Sequence, residues 1–121
     1  MDLDQAIGKH AEWKTKFRVA ISKKETLDET TISQDNCCEL GKWLHGESKA
    51  KFSKFASHAD CIRKHAAFHV EAGKVARMIN EKKYTEAEAQ LGANTAYSNA
   101  SNVVGVAIIG LKKEVAKEIA S

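Results

Sequence analysis

The sequence contains no proline in 121 residues, and that absence is its tightest constraint. Proline is the residue that most firmly ends a helix or sets a turn. Ala, Lys and Glu abound and β-branched runs are few, a composition that favours helices throughout. The predicted fold class is all-α: an antiparallel four-helix bundle with one short helix, in a single domain over residues 1–121.

Apolar spacing places the helices. The first is expected from Asp2 to Lys24, with Leu3, Ile7, His10, Trp13, Phe17 and Ile21 at the three-four spacing of a core-facing stripe. Residues 23–36 are poor in apolar side chains and rich in turn formers, and read as a loop. A short helix is expected from Gln34 to Gly46, capped by Ser33 or Asp35 and stopped by Gly46. A third runs from Ser48 to Asn80, burying Phe52, Phe55, Ile62, Phe68 or His69, Ala72, Val75 and Ile79. The last runs from Thr85 to Ala120 through Leu91, Val104, Ile108, Leu111, Val115 and Ile119. Its stretch Val103–Leu111 is apolar nearly all round, so the face turned away from the core calls for cover by a second subunit or a partner helix; a homodimer is expected.

Several functions are disfavoured. Basic and acidic residues are interleaved and the net charge is only +3, unlike a nucleic-acid footprint. The longest apolar stretch is about half of what a bilayer span needs, so no membrane insertion is expected. The N-terminus lacks the pattern of a signal peptide. Three cysteines without framework spacing suit the reducing cytoplasm better than a disulfide scaffold.

The chemistry concentrates in CIRKHAAFH, residues 61–69. His65 and His69 stand one helical turn apart, about 6 Å along the axis, so both rings can converge on one ion. Cys61 lies about 12 Å from His69 along the same axis, too far for both to bind an ion whose bonds are about 2 Å long. Cys61 therefore reads as a small buried hydrophobe, and further ligands must come from other helices. His10 on the inward face of the first helix is one source. Cys37 or Cys38 is the other, and spacing alone does not choose between them.

Three blocks in order, HAEW, CELGKWLHG and HAAFH, resemble the chemoreceptor zinc-binding (CZB) domain, whose pattern is a His with a Trp three residues on, then Cys-x-Leu/Phe-Gly-x-Trp, then His-x-x-x-His. Further on, EAEAQL and ASNVVGVAIIGLK resemble the last helix of versions that end soluble chemoreceptors. The resemblance implies a Zn2+ site made by His10, Cys38, His65 and His69, and it selects Cys38 because that residue stands three before the glycine. Cys37 and Cys61 fall outside the pattern. Trp13, Trp43 and Phe68 read as core aromatics that also wall the site. His45 and His58 read as surface or rim residues, and Asn94, Ser98 and Ser101 either as hydrogen-bond partners behind the ligands or as surface.

Four protein ligands leave no position for a reactive water, which disfavours hydrolysis. No glycine-rich phosphate loop or activated nucleophile is evident, so an enzyme is not expected. The resemblance implies a sensory or regulatory domain that responds to zinc or, through the Cys38 thiolate, to oxidants. Its output would be chemoreceptor signalling helices or a cyclic-di-GMP-synthesising diguanylate cyclase, linked or separate. The alternatives are a plain dimerisation bundle and a hemerythrin-like di-iron protein; a thiolate among the ligands and the lack of paired His-x-x-x-Glu motifs favour zinc.

Overall fold

The computed structural model describes residues 1–120. Asp2 starts the first helix, α1 (Leu3–Lys23), by accepting from the backbone N–H groups of Asp4 and Gln5, donors that no carbonyl within the helix can reach. At its end Lys24 is left-handed, with φ 55°. The Lys24 N–H meets the Ile21 carbonyl and the Glu25 N–H meets the Ala20 carbonyl, the paired bonds of a Schellman stop.

Residues 23–36 are not all loop. Asn80 clamps the backbone of Leu27 from both sides, accepting from its N–H at 2.8 Å and donating to its carbonyl at 2.9 Å. Asp28 then caps a short helix, α2 (Glu29–Ser33), by accepting from the Thr31 N–H. Ile32 is its one buried residue, too little apolar content to show in a periodicity. Next comes α3 (Glu39–His45), which begins later than expected. Its cap is Cys38, not Ser33 or Asp35, and Gly46 ends it as predicted.

The expected third helix is two helices, α4 (Glu47–Phe52) and α5 (Ala56–Asn80). The break carries no glycine or proline; Phe52 and Phe55 stack across it with ring centroids 5.9 Å apart. The expected last helix is also two, α6 (Tyr84–Gln90) and α7 (Ala96–Ala120). Between them Asn94 is left-handed at φ 63°, and the Thr95 hydroxyl accepts from the Ser98 N–H to start α7.

Three long helices form the frame. Asp4 pairs with Lys112 at 2.8 Å and Phe17 meets Tyr97, so α1 and α7 are antiparallel. Lys54, just before α5, pairs with Glu118, and Phe68 meets Tyr97, so α5 and α7 are antiparallel too. His10 faces His65 in the first halves of their helices, while Leu27, just past the end of α1, meets Asn80, the last residue of α5, so α1 and α5 run the same way. That is the relation of the first and third members of an alternating bundle, the three short helices between α1 and α5 returning the chain to its starting end.

The core holds Leu3, Phe17, Leu40, Leu44, Phe68, Val75, Ile79, Leu91, Val104, Ile108 and Leu111. The periodic stripes predicted from sequence face it, with one correction: Ile119 is 76% exposed, near the free end of α7. Along Val103–Leu111 only one side is covered. Val104, Ala107, Ile108 and Leu111 are buried, while Val103, Val106 and Ile109 are exposed.

Candidate metal centre

Local structure explains the spacing of the cysteine motif. Cys38 sits at the start of α3 with an extended backbone, and its Sγ accepts from the Gly41 N–H at 3.3 Å. A side chain at Gly41 would strike the Asp35 carbonyl, because the turn before α3 folds back over that position. A cysteine followed three residues later by glycine is what lets this turn close and aims the sulfur inward.

α5 contributes two rings and α1 a third. His10, Cys38, His65 and His69 each present one donor atom, and these atoms all lie within 4.8 Å of one another. Nε2 of His65 is 3.0 Å from Nε2 of His10, 3.1 Å from Nε2 of His69 and 3.2 Å from Sγ of Cys38. Sγ of Cys38 is 3.6 Å from Nε2 of His69. Donors at the corners of a zinc tetrahedron stand roughly 3.3–3.7 Å apart, given bonds of about 2.0–2.3 Å.

Hydrogen bonds behind the rings fix which nitrogens face the cluster. His10 Nδ1–H donates to the Ala6 carbonyl at 2.7 Å, and His69 Nδ1–H donates to the Ile32 carbonyl at 2.8 Å. A neutral imidazole carries one N–H, so Nε2 of both rings is left as a lone pair aimed at the cluster. His65 Nδ1 is buried with no partner among the described residues. One proton on His65 Nε2 and one on the Cys38 thiol must serve four close contacts. The donors are arranged for a cation rather than for one another.

The Ile32 carbonyl reaches His69 because α2 lies tight on α5. A Cβ at Gly73 would stand 2.6 Å from the Ser33 Cβ, so only glycine permits that approach. The short helix that the sequence pattern hides therefore has a task, which is to orient a ring of the cluster.

Burial depresses the pKa of His10, His65 and His69, and for His65, where the neighbouring His69 and His10 add to the effect, it falls to about 3. All three rings are neutral near pH 7, as metal ligands must be. Burial raises the Cys38 thiol, opposed by the backbone N–H groups at the start of α3. A bound cation reverses that preference and holds the thiolate. Zinc fits this set: soft sulfur, three imidazoles and a nearly dry interior.

Phe68 lies edge-on to His10 and His69, with centroids 5.3 and 5.4 Å away. Trp13 joins His10 and Cys38 in lining a cavity of about 300 Å3 between α1 and α3. Trp43 packs instead against Phe52. Ser98 and Ser101 line a separate cavity of about 160 Å3, and Asn94 is exposed in the turn before α7. Cys61 is fully buried, its thiol pushed up to about 12 by burial. Cys37 is exposed. Glu71 turns to Lys74 at 3.0 Å.

His58 corrects the sequence reading most clearly. It is 2% exposed rather than on the surface, and its Nε2 is 2.8 Å from the Ser48 hydroxyl. The hydroxyl donates to the Trp43 carbonyl, so it accepts from His58. A serine ten residues before a histidine gives no periodic signal; only the break between α4 and α5 brings them together. His45, by contrast, is exposed as expected and pairs with Asp35 at 2.8 Å.

The fold and the cluster define an all-helical domain with a donor set of three buried histidines and one half-buried cysteine. The profile of the chemoreceptor zinc-binding domain family matches residues 10–76, more than half the sequence, and the chain belongs to that family. Its cofactor is Zn2+. No curated protein and no solved structure matches the chain. Among the described residues, no helix is long and apolar enough to cross a membrane.

Proposed function

We propose that His10, Cys38, His65 and His69 hold one zinc ion, and that the chain is a single regulatory domain, residues 1–121, rather than an enzyme. The observation that carries this is the pair of carbonyl bonds at His10 and His69, which leave two Nε2 lone pairs converging beside His65 and Cys38. Zinc supplies a cross-link when bound. The donors come from α1, from the start of α3 and from α5, so ligation ties three elements together.

Loss of the ion leaves neutral rings and a protonated thiol crowded within hydrogen-bond distance, and releases α1 and α3 to shift against α5. That shift is the signal. Zinc availability drives it directly, and an oxidant drives it by converting the Cys38 thiolate to a form that binds zinc weakly. The output is a chemotaxis or cyclic-di-GMP module in the cytoplasm, linked to this domain or separate from it. The exposed Val103, Val106 and Ile109 of α7 support a homodimer contact.

Metal analysis of the purified chain tests the ligand set. About one zinc per chain is expected for the wild type, and none for His65→Ala or Cys38→Ala. Full zinc content in both variants would overturn it. Two irons per chain would instead favour the di-iron alternative.

A further inference from the structure

Cys37 takes no part in the donor cluster, yet one peptide bond joins it to the cluster's thiol. We propose that Cys37 is the resolving thiol for Cys38. A peroxide-class, two-electron oxidant converts the pair into a Cys37–Cys38 disulfide, which removes Cys38 from the donor set and which a dithiol reopens. The inference rests on the reading of Cys38 as a zinc ligand and adds to it what happens after oxidation.

Three placements support it. Residues 35–38 lie in a turn and bend before α3, outside any helix or strand, so no helical or strand ladder holds the backbone there. Cys37 is exposed, and its Sγ hydrogen-bonds the side-chain oxygens of Gln34 and Asn36, at 3.3 and 3.6 Å; bonds so weak and wet cost little to break. Cys38 is half-buried and lines the cavity of about 300 Å3 beside α1, which is wide enough to admit a molecule the size of a peroxide. Cys61 is sealed in the core and offers no substitute.

The chemistry balances with the named oxidant. The Cys38 thiolate sulfur attacks one oxygen of hydrogen peroxide and the O–O bond breaks. Sulfur gives up two electrons to become the sulfenic acid, and hydroxide departs and takes a proton from solvent. The Cys37 sulfur then attacks the Cys38 sulfur, the S–O bond breaks, and the hydroxide leaves as water with the Cys37 proton. One peroxide and two cysteines give one disulfide and two waters. Adjacency makes the second step intramolecular. It also competes with further oxidation to the sulfinic acid, which is irreversible for most thiols. Neighbouring α-carbons stand about 3.8 Å apart, shorter than the roughly 4.4–6.8 Å of ordinary disulfides. The bridge forms under strain and is readily reduced, as a reversible switch requires.

The zinc-loaded chain is treated with hydrogen peroxide, alkylated and digested with trypsin. Both cysteines fall in one peptide, Glu25–Lys42, and Cys61 in another. The expected product is that peptide unalkylated and about 2 Da lighter, with zinc released, and with dithiothreitol restoring both the thiols and zinc binding. Cys37→Ser is expected to bind zinc like the wild type. After peroxide it should give a Cys38 peptide about 32 Da heavier and should not recover zinc on reduction. Identical products from wild type and Cys37→Ser, or a disulfide found only between chains, would overturn the proposal while leaving Cys38 an oxidisable ligand. Free thiols with zinc retained would remove the oxidant reading of Cys38 itself, and the disulfide with it.

Discussion

Two buried histidine environments, about as dry as each other, face opposite problems. At His58 the ring donates to a serine hydroxyl whose own proton goes to a backbone carbonyl. Every polar atom in that chain of bonds has a protein partner, and the arrangement joins α4 to α5. At His10, His65 and His69 the backbone satisfies the far nitrogens of two rings, and the near nitrogens crowd one another at about 3 Å. Burial alone does not separate a structural histidine from a ligand. The difference lies in whether the inward nitrogen has one matched partner, as at His58, or shares too few protons with several neighbours, as in the cluster.

Removing zinc breaks this comparison most forcefully. A chelator should lower the stability of the wild type by ~4 kcal/mol when the free zinc it replaces exceeded the dissociation constant about a thousandfold. His58→Ala should lose the same amount on chelation, and His65→Ala none. Denaturant unfolding with and without chelator measures all three. An equal chelator effect in the His65→Ala chain would erase the distinction between the two environments.

Acid should act next. In the zinc-free chain the cluster histidines have folded pKa values below 6.5, so the unfolded chain takes up protons first as pH falls. Their contribution is complete above pH 6.5 and is lost as pH drops towards the folded values, about 3 for His65. Each such histidine adds a slope of at most ~1.4 kcal/mol per pH unit. His58 is lowered by burial as well and shares the sign. His65→Ala should flatten stability between pH 6.5 and 4.5 more than His58→Ala does, as read by urea titrations.

Two smaller changes sharpen the contrast. Ser48→Ala leaves the His58 ring buried without its acceptor and should cost ~1–3 kcal/mol while zinc content stays unchanged. Gly73→Ala forces α2 away from α5 and draws the Ile32 carbonyl off His69. It should weaken zinc binding about tenfold, or ~1.4 kcal/mol, as measured by competition with a chelating dye.

Much of the site could be read before any fold was known, since His65 and His69 share a helix face through their spacing and His10 lies in an apolar stripe. Cys38 was different. Periodicity left Cys37 and Cys38 equal, and only the likeness to a family separated them; the structure adds the cause, a sulfur held inward by the Gly41 N–H under a turn that tolerates no side chain. The helix ends were harder. Lys24 and Lys82 close α1 and α5 in left-handed conformations that sequence rules assign to glycine. The break before α7 did leave a trace, in the Gly92, Asn94 and Thr95 of LGANT.

The sequence by itself determined the helical class, the faces that turn inward and which residues have the chemistry to bind a metal, because each follows from local covalent structure and a repeat of 3.6 residues. Tertiary structure alone decided that the expected third helix breaks into α4 and α5, that α2 exists and orients His69, and that His58 is sealed against Ser48. These depend on contacts between residues distant in the chain, or across a break in it, and no local periodicity encodes them.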